Sequence, residues 1–366
     1  MTRVCALMAV YNEEDIVREA VSKLINQGVD VHLVDNASTD GTVDQVADLV
    51  GRGLVDIETL RFHEDGREVY NWTALLQHKE ALSRQLGYDW YLHVDADEIR
   101  YAPWPELSLR EGVERVDAAG YNLINFKLFN FRLSADTVVD GDVEAAMQRY
   151  SPTERFNQRQ VKAWKSHPAV DLASLGGHHV WLPDSRVYPT RFIHKHYPVR
   201  SLAHGQRKIL AERKARFSQA ERRRGWHVQY DALQAVDAAD IFWDPAALVP
   251  FDAAAESRRL FEESSEVLSG MLAEGDAAAL PGDEARFQSR WLDRLLAADV
   301  PPEHAHALMV VADHLARHLA QQDLPPVSAS PVDGGWLTRI IASMARLRFL
   351  SGDPLLWGRL GGLRFG

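Results

Sequence analysis

Apolar runs that read as strands alternate with amphipathic helical runs through the first hundred residues, and this alternation constrains the fold more than any other feature. Val4 to Val10 is an apolar strand, and Glu13 to Gln27 a helix with Ile16, Ala20 and Leu24 on one face and Gly28 as its stop. Val29 to Val34, Val55 to Phe62 and Trp90 to Val94 read as further strands, separated by helical stretches at Thr42 to Val50 and Trp72 to Leu86. A βαβαβαβ order predicts a mostly parallel sheet with right-handed crossovers. After Trp104 come a short helix, an alternating strand at Tyr121 to Phe131, and strand-like runs at Gln160 to Trp164, His178 to Leu182 and Val187 to His196, which predict an antiparallel part. Ser201 to Arg224 is helical in pattern, and so is the Ala-rich stretch Asp237 to Leu324.

At 366 residues the chain is long enough for about two domains, and 46% hydrophobic with 25% charged residues excludes disorder. The single Cys5 lies in an apolar strand, so it reads as a reduced, buried position in a cytoplasmic protein. No cleavable leader opens the sequence, and no apolar stretch approaches the ~18 residues a bilayer span needs. The net charge of −11 is unevenly placed: Arg186 to Arg224 is +10 and the remainder −21. That balance argues against nucleic-acid binding, while the basic stretch suits a diphosphate or lipid headgroup; its second half, Arg213 to Arg224, also reads as a solvated helix face. Residues 336–350 place Ile340, Ile341, Met344, Leu347 and Phe349 among Arg339, Arg346 and Arg348, a basic amphipathic helix that can dock on the protein or lie on an anionic membrane surface. His314 and His318 share a helical face but have no third ligand, so they read as surface or packing residues.

Chemistry concentrates in Tyr91-Leu92-His93-Val94-Asp95-Ala96-Asp97-Glu98-Ile99, an apolar strand that ends in three carboxylates. Acids packed this closely repel one another, so they hold a cation or face a polar ligand. In an open α/β sheet the carboxyl ends of the strands are the ligand-binding rim. Two other segments end there: Val10-Tyr11-Asn12-Glu13-Glu14, and Val34-Asp35-Asn36-Ala37-Ser38-Thr39-Asp40-Gly41-Thr42. Tyr11 offers a ring for stacking on a base, and Asp35 can accept from a base edge. Ser38 to Gly41 can equally do no more than form a loop and cap a helix. Neither a Gly-x-Gly-x-x-Gly turn nor a Walker loop is present, so a divalent cation on Asp97 is the expected means of neutralising phosphates.

In order and spacing these three segments resemble the family-two glycosyltransferases of the GT-A fold, in particular a branch with Asp-Ala-Asp-Glu and a distant His-Tyr-Pro. The resemblance covers roughly residues 3 to 210. It implies transfer of a sugar from a nucleoside diphosphate donor with inversion. Asp35 would contact the nucleobase, Asp95 ribose or metal, and Asp97 Mn²⁺ or Mg²⁺. Tyr11, Asn12 and Glu13 match the nucleoside-lining segment, and Val10, Asn36, Ser38 and Ala96 complete the expected nucleotide set. His196, in the His-Tyr-Pro match, is the candidate third metal ligand, and Arg200 with Lys208 the candidate diphosphate contacts.

No clear copy of the family's later acidic pair is present, so the general base is open among Asp171, His178 and His179. Lys162 and Trp164 either face an acceptor or fill a strand. The expected organisation is a GT-A nucleotide-sugar domain over 1–225, a helical extension over 226–325 and an amphipathic helix with tail over 326–366. The expected activity is that of a hexosyl- or deoxyhexosyltransferase acting on a saccharide, glycolipid or metabolite, cytoplasmic or peripheral at the inner face of the membrane. The competing readings are a sugar nucleotidyltransferase, which needs a basic glycine-rich loop where Tyr11 to Glu14 stand, and a non-catalytic nucleotide-binding scaffold.

Overall fold

The computed structural model describes residues 1–152, 160–208, 210, 216 and 237–275. The chain divides into two units, Met1–Asp117 with Tyr121–Ala254 and Ala118–Gly120 with Ala255–Gly366; the sheet and every candidate site residue belong to the first. The elements are β1 (Val4–Val10), α1 (Val17–Asn26), β2 (Asp30–Asp35), β3 (Leu54–Thr59), β4 (Phe62–Glu64), β5 (Arg67–Val69), α2 (Trp72–Gln85), β6 (Trp90–Asp95) and β7 (Glu98–Tyr101). They continue with α3 (Leu109–Ala118), β8 (Leu123–Asn130), α4 (Val143–Ala146), β9 (Arg149–Tyr150), β10 (Gln160–Lys165), β11 (Phe192–His196) and α5 (Leu202–Gln206). The last are α6 (Ala238–Ile241), β12 (Val249–Pro250) and α7 (Ala253–Gly275).

Eight strands form one sheet in the order β3-β2-β1-β6-β10-β8-β11-β7. The first four run parallel; β10 is antiparallel to both neighbours, and β11 is parallel to β8 and antiparallel to β7. This is the α/β arrangement of a GT-A fold, a mostly parallel sheet with an antiparallel part. β1 lies in the parallel half with Val4, Cys5, Ala6, Leu7 and Met8 all shut away from solvent, which is why its sequence is a continuous apolar run. Across the interior, Tyr91 stacks on Trp164 at 5.9 Å among Leu7, Val34, Leu75, Leu76 and Val161.

The link from β6 to β7 forces the sheet to curl. Only Ala96 and Asp97 separate the two strands, a span of at most about 11 Å at ~3.8 Å per residue. In a flat sheet the four steps from β6 to β7 would cover about 19 Å at ~4.8 Å per strand. The far edge therefore bends back toward β6. Ala96 and Asp97 sit at the mouth of that curl.

Several expected elements differ. The helix expected from Glu13 starts at Val17, after turns over Glu14 to Ile16 in which Ile16 takes a non-helical φ of −137°. The helix expected over Thr42 to Val50 is reduced to turns and one 3₁₀ turn at Ala47–Leu49, in a stretch rich in the weak helix formers Thr, Val and Asp. The third strand ends at Thr59, and an unforeseen hairpin of β4 and β5 follows. His178 to Leu182 contributes only isolated bridges, at His179 and Trp181, and the strand expected from Val187 begins at Phe192. The boundaries at 225 and 325, His314, His318 and residues 336–350 lie outside the described residues.

Gly112 shows how closely α3 lies on the sheet. A Cβ there would meet Ala102 Cβ at 2.7 Å and the Phe192 ring at 3.1 Å. Gly112→Ala would raise helix propensity by ~1 kcal/mol, yet overpacking costs about 1–3 kcal/mol, so the expected net effect is a lower urea midpoint. A midpoint at or above that of the native protein would contradict this packing.

Candidate active site

The loops after β1 and β2 are stitched into one surface at the carboxyl rim. Asn12 adopts a left-handed φ of 54°; its N–H donates to Ser38 Oγ at 3.0 Å and its Oδ1 accepts from the Thr39 N–H at 2.8 Å. The Glu13 N–H donates to Thr42 Oγ1 at 2.8 Å, and the Asn36 N–H to the Val10 carbonyl at 2.8 Å. Asp35, 3% exposed, accepts the Ser38 N–H at 3.0 and 3.3 Å in an Asx turn. Val10, Tyr11, Asn12, Glu13, Asp35, Asn36 and Ser38 therefore form one patch. Asn12 and Ser38 serve within it as struts.

Asp95 ends β6 and Asp97 follows in the turn, whose backbone is held by the Tyr197 N–H donating to the Asp97 carbonyl at 2.8 Å. Tyr197 is fully buried and stacks on Phe131 at 4.8 Å, so the Tyr of His-Tyr-Pro anchors this turn from the core. Asp97 Oδ2 lies 2.8 Å from Lys208 Nζ and 3.7 Å from His196 Nε2. Burial alone would raise the Asp97 carboxyl, but the charges of Lys208 and Arg200 hold it well below the usual carboxylate range. Asp95, half-buried, is pushed up to about 6, chiefly by desolvation and the charge of Glu98, against the pull of Lys79 and Lys162.

Asp97 and His196 offer a divalent cation two facing ligands, but Asp95 does not close with them into a three-ligand cluster within 4.8 Å. His196 Nδ1 lies 2.7 Å from Asn130 Oδ1, an acceptor, so Nδ1 carries the proton and Nε2 turns its lone pair toward Asp97. Burial pushes His196 down to about 4 against the pull of Asp97 and Glu98, which leaves a neutral imidazole beside a carboxylate.

Arg200 and Lys208 reach the rim, but through its acids. Lys208 Nζ bridges Asp97 and Glu13, the latter at 3.0 Å. Arg200, 2% exposed, donates to Glu13 Oε2, to both Asp15 oxygens at 2.7 and 2.8 Å and to the Tyr197 carbonyl at 3.1 Å, and its Nη2 lies 2.9 Å from His204 Nε2. Glu13, Asp15 and His204 bring ligand atoms within 4.8 Å of one another, and the Arg200 guanidinium is the cation lying among them. Of the two expected diphosphate contacts, Lys208 stands at Asp97, whereas Arg200 braces the loop that carries Glu13.

Beneath the rim lies a buried charged layer. Glu98 pairs with Arg100, with Lys162 Nζ at 2.8 Å and with His194 Nε2 at 3.0 Å, all four side chains at most 5% exposed. Lys162 is aimed inward by an irregularity in the β10–β8 register, and Trp164 fills the core, so neither is set to face an acceptor. Lys79 Nζ, also buried, lies 2.8 Å from His93 Nδ1 and 3.2 Å from the Val94 carbonyl; burial lowers it to about 8. Sequence reasoning missed Lys79, although it stands on the apolar face of α2 in line with Leu75, Leu76 and Leu82.

The three base candidates sit on one turn. Asp171 accepts the Ser174 N–H at 3.0 Å and its hydroxyl, and is half-buried. The turn is fastened to α2 by Glu80, which accepts the Leu172 and Ala173 N–H groups at 2.7 and 2.8 Å, and by Trp72 Nε1 donating to the Gly176 carbonyl at 3.0 Å. Gly177, at φ 79°, leaves space for the ring of His93, whose Nε2 a Cβ would meet at 3.1 Å. His178, an exposed residue within electrostatic reach of Lys162 and Glu98, is lowered to about 4, chiefly by desolvation. His179 pairs with Val161 of β10.

The rim thus gathers a ring at Tyr11, the buried carboxylate of Asp35 and the Asp95-Ala96-Asp97 turn at the carboxyl ends of parallel strands, where ligands bind in open α/β sheets. Residues 5–79 match the family described as Glycosyl transferase family 2. The S. aureus TarS structure spanning its residues 1–349 with UDP-GlcNAc aligns at 13% identity and a TM-score of 0.33, over 96% of this chain and 93% of that one. The same fragment with UDP gives 12% and 0.31, over 96% and 92%. With the longer TarS structure the values are 12% and 0.32, and this chain spans 55% of its length. A comparison with curated proteins finds no match.

Proposed function

We propose that the protein transfers a hexosyl or deoxyhexosyl group from a nucleoside diphosphate sugar to an acceptor hydroxyl, with inversion and with a divalent cation at the rim. The observation that carries this reading is Asp97 and the neutral His196 facing each other at 3.7 Å, on the rim that also presents Tyr11 and Asp35. Asp97, His196 and the neighbouring Asp95 would hold Mn²⁺ or Mg²⁺. When bound, the metal supplies Lewis-acid stabilisation of the departing diphosphate. Lys208, already at Asp97, would turn its ammonium to the same phosphates, and Arg200 would keep Glu13 in place. Tyr11 would stack on the base, with Asp35 reading its edge.

Asp171, His178 and His179 share the role of general-base candidates. A saccharide, glycolipid or metabolite acceptor fits the chemistry. We place the activity at the cytoplasmic side, in a 1–225 catalytic domain followed by the 226–325 and 326–366 regions, with 336–350 available for peripheral membrane contact. No helix among the described residues is long and apolar enough to cross a membrane.

Release of nucleoside diphosphate from a panel of nucleotide sugars in Mn²⁺ tests the reading. Slow donor hydrolysis, accelerated by acceptor, is the expected result. Nucleotide binding without turnover across the panel would favour the scaffold instead. Tyr11→Ala should weaken nucleotide binding by about 5- to 150-fold, the value of one base-on-aromatic stack of ~1–3 kcal/mol, measured by calorimetry. An unchanged affinity would remove Tyr11 from the base site.

A further inference from the structure

A side chain of this same protein already occupies the place of the base. The Arg216 guanidinium carbon lies 3.6 Å from the centroid of the Tyr11 ring, close to the spacing of a base stacked on an aromatic side chain. Its Nη2 donates to the Asn36 carbonyl at 3.1 Å, to Asn36 Oδ1 at 3.3 Å and to Glu68 Oε1 at 3.1 Å. The Asn36 amide is fixed in this sense, since its Nδ2 donates to the Leu60 carbonyl at 2.9 Å. Arg216 itself is anchored through its own carbonyl, which accepts the Tyr70 N–H at 2.6 Å. Three oxygens, one of them charged, thus converge on a single amino nitrogen above Tyr11.

Such a place rejects some bases and accepts others. Uracil and thymine present one ring N–H flanked by two carbonyls, and those carbonyls would oppose the Asn36 and Glu68 oxygens. Adenine and cytosine carry an amino group beside a ring nitrogen that is itself an acceptor. Guanine alone carries an amino group and a ring N–H on adjoining atoms, three hydrogens for the three oxygens that now converge on Arg216 Nη2; the other Glu68 oxygen, Oε2, is held by Arg61 at 2.9 Å.

Resting on the nucleotide-site reading above, the geometry points to guanine as the donor base, with Asn36 and Glu68 as its selectors and Arg216 as an internal competitor for the place. Calorimetry of GDP, UDP, CDP and ADP in Mn²⁺, on the full chain and on Arg216→Ala and Glu68→Gln, tests this. GDP should bind at least about tenfold tighter than UDP, the discrimination of one charge-assisted hydrogen bond; Arg216→Ala should tighten GDP several-fold, and Glu68→Gln should narrow the GDP-to-UDP ratio. UDP binding as tightly as GDP overturns the guanine assignment and leaves the nucleotide site standing. Weaker binding of all four by Arg216→Ala overturns the competitor role, and absence of binding by the native protein overturns both this inference and the reading beneath it.

Discussion

Glu98→Ala is expected to cost about 3–5 kcal/mol of folding stability, the typical price of removing one partner from a buried ion pair. Arg100 and Lys162 both rely on this carboxylate, at 1% and 4% side-chain exposure, and neither can reach water when it is gone. The isosteric Glu98→Gln should be milder, because its amide oxygen still accepts from one of them. Urea unfolding measures the difference, and a thermal midpoint falling by on the order of 10 °C should accompany it. The same pair of acids sets the acid limit. Glu98 and Asp97 are held well below their ordinary values of 4.5 and 3.8, so the stability they contribute is complete above those values and is lost as pH falls through and below them. Stability should therefore drop steeply below about pH 4.5, and Glu98→Ala should flatten that slope. An unchanged acid profile in the variant would show that Glu98 is not the group responsible.

Asp97→Asn should act on chemistry rather than folding. The amide keeps the shape of the carboxylate and Lys208 retains Glu13 at 3.0 Å, so the urea midpoint should fall less than in Glu98→Ala, though it should fall, because ionised Asp97 itself contributes stability. Transfer should nonetheless fall by on the order of a thousandfold or more, roughly 4 kcal/mol of transition-state stabilisation, because the cation would lose its charged ligand. Retention of native kcat with only a raised KM would reassign Asp97 to ground-state binding.

Local patterns announced what stands at the rim, and long-range pairing decided how it is wired. The apolar runs of β1, β2 and β6 and the polar tails that follow them are legible because parallel strands buried on both faces write themselves as uninterrupted Val, Leu and Ala. The curl is not legible, since it depends on β7 pairing with β11 rather than with β6. Nor is the partnering of Glu13 with Lys208, or of Tyr11 with Arg216, in which each member looks like an ordinary solvated charge or ring until the fold brings them together. Lys79 was within reach, a lysine on the apolar stripe of an amphipathic helix. Thr42 to Val50 misled because caps and turns draw on the same Ser, Thr and Asp.

We propose that the rim binds a nucleoside diphosphate through a cation on Asp97. Calorimetric titration of the native protein and of Asp97→Asn with UDP, dTDP and GDP, with and without Mn²⁺, tests it most directly. The account predicts that at least one diphosphate binds, that Mn²⁺ strengthens it severalfold, and that the strengthening disappears in Asp97→Asn; no binding of any of the three, with or without metal, would contradict it.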